Sequence, residues 1–133
     1  MFSTRSVMIV DDDIFARGII RHHLTRLGFK NVFEASDGNE ALTTLRSAKM
    51  QLVIADRYMP VLNGVELYCN MQNFPGLKDI PFIMVTMEDE KGKIEDARNL
   101  GICNYLVKPF NADMFDAKIH EVLLQPVNDL AGE

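Results

Sequence analysis

Cysteine is scarce in this chain, positive charge is outweighed, and no apolar run approaches membrane-spanning length. The two cysteines are Cys69 and Cys103. Both sit among apolar neighbours, and neither has a second Cys or a His at zinc-ligand spacing, which excludes a zinc module. They read as small reduced hydrophobes in or near the core, in a reducing cytoplasm. Histidine is also sparse. His22 and His23 are adjacent on a helix, so they cannot share one face and make a poor metal pair; His120 reads as an exposed helix residue. The apolar run at residues 7–10 is too short for a signal peptide. With 14 Lys and Arg against 19 Asp and Glu, the formal charge is -5. Such a chain has no general attraction for phosphate backbones or anionic lipid, so neither nucleic acid nor membrane is expected as a direct partner. There are no repeats and no low-complexity segment.

What is present is an alternation. Residues 7–10 read as a strand, and residues 14–27 as a helix with Phe15, Ile19, Ile20, Leu24 and Leu27 at helical spacing, ended by Gly28. A weaker strand follows at 31–35, a turn at Asp37-Gly38, and a helix at 40–48. Strand 52–55, a loop with Pro60 and Gly64, and helix 65–71 come next. The segment 73–81 is a loop, 82–85 a strand, 90–100 a helix, 103–107 a strand and 113–124 the last helix, stopped by Pro126. At 133 residues this is one domain. Strand and helix alternate five times, which predicts an α/β fold with a parallel sheet covered by helices on both faces. Ligands collect at the carboxyl ends of strands in such folds.

Acidic, hydroxyl and ammonium groups stand at those ends. Asp11, Asp12 and Asp13 follow the first strand, Asp56 the third, Thr86 the fourth and Lys108 the fifth. Crowded carboxylates repel, and one or more would protonate unless a cation neutralised them. A hard divalent ion held by few carboxylates and several waters points to Mg2+. Lys108 adds a second positive charge. An aspartate in such a pocket is suited to attack a phosphoryl group, a reaction driven by positioning and charge neutralisation. Asp13 is the best candidate for capping the first helix.

Val10-Asp11-Asp12, Ala55-Asp56 with Met59-Pro60 and Gly64, Val85-Thr86, and Tyr105 with Val107-Lys108-Pro109-Phe110 together resemble a response-regulator receiver domain of the CheY-like type. The resemblance covers about residues 6–125. It implies the flavodoxin-like strand order 2-1-3-4-5, of which CheY is itself a standard example. It implies Asp56 as phosphoacceptor, Asp12 as direct Mg2+ ligand, Asp11 acting through water, and the Tyr58 backbone carbonyl as a further ligand. Lys108 would contact the phosphoryl oxygens, Thr86 would swing in to bond them, and Tyr105 would turn inward as Thr86 moves. Lys108-Pro109 would be a cis peptide bond. The implied donor is a histidine kinase or histidine phosphotransfer protein. The implied output is a changed face of helix four, strand five and helix five offered to a protein target.

Large Arg57 and Tyr58 follow the acceptor, and Glu88 sits two places after Thr86. Tyr58 and Glu88 flank the path of water to an acyl phosphate and are expected to set its lifetime. Residues 1–125 form the receiver; residues 126–133 read as a C-terminal tail or the start of a linker. Self-phosphorylation and autodephosphorylation are expected without turnover of an outside substrate, so the chain is not read as an enzyme. Cys103-Asn104 lacks the acidic residue of dimerising relatives, which points to a monomer. A haloacid-dehalogenase-type phosphatase would need an acid at Tyr58. A flavodoxin-like carrier would need a phosphate loop where Asp11–Asp13 stand. An unphosphorylated docking module would not need the intact site.

Overall fold

The computed structural model describes residues 2–87 and 91–124, so Glu88, Pro126 and the tail lie outside the described residues. The elements run β1 (Ser6–Val10), α1 (Ile14–Arg26), β2 (Asn31–Ala35), α2 (Gly38–Leu45), β3 (Leu52–Asp56), α3 (Gly64–Met71), β4 (Phe82–Met87), α4 (Lys91–Asn99), β5 (Tyr105–Lys108) and α5 (Ala112–Leu123). All pairings are parallel, in the order β2-β1-β3-β4-β5. β1, β3 and β4 are buried along nearly their whole length, as central strands covered on both faces must be. Their side chains alternate between two cores. Met8, Val10, Val53, Ala55 and Met84 face α2 and α3, while Val7, Ile9, Leu52, Ile54, Ile83 and Val85 face α1 and α5. No described helix is long and apolar enough to cross a membrane.

Local signals fix the helix starts. Asp13 caps α1 by accepting from the Phe15 N–H at 2.9 Å. Asn63 and Glu66 form a reciprocal capping box on α3, worth about 1 kcal/mol. Asp37-Gly38 is more than the expected turn: Asp37 caps α2, and Gly38 is its buried first residue. A Cβ on Gly38 would lie 2.5 Å from the Leu62 carbonyl oxygen. That contact ties the start of α2 to the loop after β3.

Three expectations need correction. Cys69 and Cys103 are both exposed rather than in the core, because each stands on the outer side of its segment. The apolar stripe of α1 is split: Ile20 and Leu24 are buried, whereas Phe15 is 80% and Ile19 55% exposed. β4 runs through Thr86 to Met87, so Thr86 lies within the strand rather than after it.

Candidate functional site

The sheet order sets β1, β3 and β4 side by side, and their carboxyl ends supply the site. Asp56 is the last residue of β3, in register with Val85, so Thr86 stands one residue further along the adjacent strand. Lys108 closes β5 in register with Met87 and reaches across β4. Its Nζ lies 2.9 Å from Asp56 Oδ1. The other oxygen, Oδ2, accepts from the Tyr58 backbone N–H at 3.0 Å. Asp56 is therefore held by one ammonium and one amide.

Asp11 follows β1 and is 2% exposed. Its Oδ1 accepts from the Asp13 N–H at 2.9 Å, but buried Oδ2 has no partner among the described residues. Burial, with the nearby charges of Asp56 and Asp12, pushes the Asp11 carboxyl up to about 6, against the pull of the Asp13 N–H and Lys108. Burial works against the Lys108 ammonium, yet the hydrogen bond and charge of Asp56 outweigh it and hold its pKa above the ordinary lysine range. Thr86 is also buried, and its Oγ1 has no partner among the described residues. Asp12 is exposed at the rim.

The structure thus brings Asp11, Asp56, Thr86 and Lys108 to one rim, with Asp12 beside them. It does not converge three acidic, His or Cys side chains on one point among the described residues. Asp56 is drawn toward Lys108 and Asp12 toward water. The donor set still fits Mg2+: it is all oxygen, includes a buried carboxylate oxygen with no partner among the described residues, and has an exposed Asp12 at its rim. Two buried oxygens without partners are costly unless a ligand completes them.

Tyr58 is 46% exposed, with the Lys93 ammonium 4.9 Å above its ring and donating to its hydroxyl. Tyr105 is half-buried. Its hydroxyl donates to the Ile94 carbonyl on α4 at 3.3 Å and to the Ile102 carbonyl. The Lys108-Pro109 peptide bond is cis. Sequence reasoning missed Arg17. Its Nη1 donates to the Asp11 carbonyl at 2.6 Å, while its Nε pairs with Glu34 at 2.8 Å. Arg17 and Arg21 stand four apart on α1 and grip the same Glu34, a spacing that could have drawn attention to them.

Comparison with known proteins agrees with this geometry. The family model described as response regulator receiver domain matches residues 7–120. The chain is 37% identical over 118 residues to chemotaxis protein CheY1 of Helicobacter pylori, covering 88% of this chain and 95% of that protein. It is 37% identical over 116 residues to chemotaxis protein CheY of Pseudomonas aeruginosa, covering 87% and 94%. The crystal structure of Vibrio cholerae CheY4 superposes with a TM-score of 0.82 at 33% identity, covering 90% of this chain and 98% of that one. A receiver domain of a Pseudomonas aeruginosa sensor histidine kinase, described with magnesium in its active-site cleft, shares the fold at 22% identity and a TM-score of 0.80, covering 89% and 96%. With the family match spanning most of its length and CheY proteins as its relatives, the chain belongs to the response regulator receiver domains of two-component signalling.

Proposed function

We propose that this receiver is a phosphorylation-driven switch in which Asp56 takes a phosphoryl group from a phosphohistidine on a histidine kinase or phosphotransfer protein. One observation carries the reading: Asp56 is paired with Lys108 at 2.9 Å beside two buried oxygens that have no partner among the described residues, Asp11 Oδ2 and Thr86 Oγ1. A carboxylate oxygen of Asp56 attacks phosphorus as the phosphorus–nitrogen bond to the donor imidazole breaks. The bonding pair leaves with the imidazole, and an acyl phosphate remains on Asp56. Lys108 neutralises phosphoryl oxygens as they arrive, and Thr86 donates its hydroxyl to one of them. Asp11, Asp12, Asp56 and the Tyr58 carbonyl are the groups that would hold Mg2+. When bound, that ion supplies positive charge against the phosphoryl oxygens.

Inward movement of Thr86 frees space that Tyr105 follows. Because the Tyr105 hydroxyl is tied to the α4 backbone at Ile94, its movement alters the face built from α4, β5 and α5. The change is a shift of population between two packings. A protein target reads that face, and no outside substrate is turned over. The molecule acts as a cytoplasmic monomer, and its chemotaxis relatives make a motility target the first to test. The donor has a ready landing surface. Ile14, Phe15 and Ile19 of α1 are 64%, 80% and 55% exposed. Phe15 and Ile19 line a hollow of about 450 Å3 together with Met87, Lys108, Pro109 and Phe110, next to the acceptor.

Intact-mass analysis after incubation with acetyl phosphate and Mg2+ tests the proposal. One phosphoryl adduct is expected on the wild type and none on Asp56→Asn or without magnesium; an adduct on the variant sinks the assignment. Following the same adduct over time with Tyr58→Asn and Glu88→Ala reads the lifetime role, which unchanged decay rates remove.

A further inference from the structure

At the opposite rim, where the strands begin, lies an open groove of about 910 Å3. It is bounded by residues just before β1, the α2–β3 connection, the α3–β4 loop and the end of α5. Its floor is apolar, with Leu45, Met50, Phe74, Leu77, Ile80 and Leu123. Among the described residues, its charged lining groups are Arg5, Arg46, Lys49 and Asp79: three cations against one anion, in a chain of formal charge -5. Among the described residues, none of these three cations makes an ion pair. The Arg46 guanidinium instead rests 5.1 Å above the centre of the Phe74 ring.

We infer that this groove docks an acidic, extended segment of a partner protein, with apolar side chains on the floor and carboxylates at Arg5, Arg46 and Lys49. Charge complementarity selects the sign of the occupant, since the local excess is positive although the whole molecule is negative. The floor selects apolar side chains between the carboxylates. The volume is at the upper end of small-ligand sites, and the groove is open to solvent, so a small molecule would stay partly wet where a longer peptide segment would cover more of it. The groove stands at the opposite ends of the strands from Asp56. It can therefore hold a partner whether or not the acceptor is phosphorylated, which makes it a tether rather than an output face.

The probe is a fluorescein-labelled peptide alternating Glu with Leu, titrated with the full chain at low salt and read by fluorescence anisotropy. Saturable binding is expected, weakened at least about tenfold by R46E/K49E and by raised ionic strength. Asp56→Asn should bind as the wild type does, and a Lys/Leu peptide should not bind. No saturable binding, equal binding of the Lys/Leu peptide, or undiminished affinity in R46E/K49E overturns the inference. If that double variant melts early, Lys49→Glu, at an exposed position outside any helix, decides instead: unchanged affinity there is equally fatal. A concentration-dependent dimer in sedimentation that R46E/K49E dissolves assigns the groove to a second copy and also overturns it. The inference does not rest on phosphotransfer: loss of the phosphoryl adduct leaves these titrations unchanged, and the reverse holds.

Discussion

Gly64 begins α3 where a side chain has no room: a Cβ there would lie 2.5 Å from the Asp56 carbonyl oxygen. The Gly64 N–H also donates to the Arg57 carbonyl at 3.1 Å, so the loop after the acceptor closes back on the residue that follows it. Gly64→Ala should displace Asp56 and cost about 1–3 kcal/mol of stability. A lower melting temperature together with slower acetyl phosphate labelling is the expected result; a variant that labels at the wild-type rate would show that the close approach is not needed. In the same loop Val61 has φ 69°, an outlier for a β-branched residue, and strain of this kind gathers at functional loops. The acceptor, the acidic residues, the hydroxyl and the lysine were legible because a parallel sheet delivers its strand ends to one rim. Arg17 was not, because its contact is with a carbonyl, which no side-chain pattern announces.

Among the helices, α1 shows how periodicity can mislead. At about 100° per residue, Ile20, Leu24 and Leu27 fall within roughly 60° of one another, while Phe15 and Ile19 lie at least about 80° away. What reads as one stripe is two, and only the first is turned to the core. The second borders the hollow beside Lys108. Phe15→Ala with Ile19→Ala should slow phosphotransfer from a protein donor about tenfold or more, with labelling by acetyl phosphate unchanged. Stopped-flow transfer from a purified phosphodonor measures it, and equal slowing with both donors would move the defect into the acceptor pocket. Strand boundaries were legible to within two residues; the largest offsets are at the end of β4, which runs on to Met87, and at the start of β5, at Tyr105. The residues 103–104 before it are apolar or small enough to imitate a strand, yet they leave the helix as loop.

For the whole molecule, the pH dependence combines groups of opposite sign, and Asp11 supplies one of them. Its carboxyl in the folded chain is pushed from 3.8 to about 6, so between those values the native state holds a proton that the unfolded chain releases. This group's contribution to stability therefore falls as pH rises through that window and stays low above it. On the proposed magnesium site, a bound cation would take the place of the proton, so magnesium should raise the melting temperature more at pH 7.5 than at pH 5. Melting curves with and without magnesium at both pH values check this, with Asp11→Asn expected to flatten the difference. An equal magnesium effect at both would remove Asp11 from the metal's surroundings. Glu34 and Asp116 act in the opposite sense. Burial works against Glu34, but the hydrogen bonds of Arg21 and Arg17 hold its carboxyl below the usual range, as Arg26 does for Asp116. Their contributions are present above the ordinary carboxylate range and lost in acid.

The two surface thiols give the molecule a practical property. Cys69 rides on α3, and Cys103 sits two residues before Tyr105. A maleimide dye or spin label can reach both in the folded chain without any engineered attachment point. The label on Cys103 would sit beside the strand whose aromatic ring is expected to move. The same accessibility means that purified protein stored without reductant should link into covalent dimers across these sulfurs.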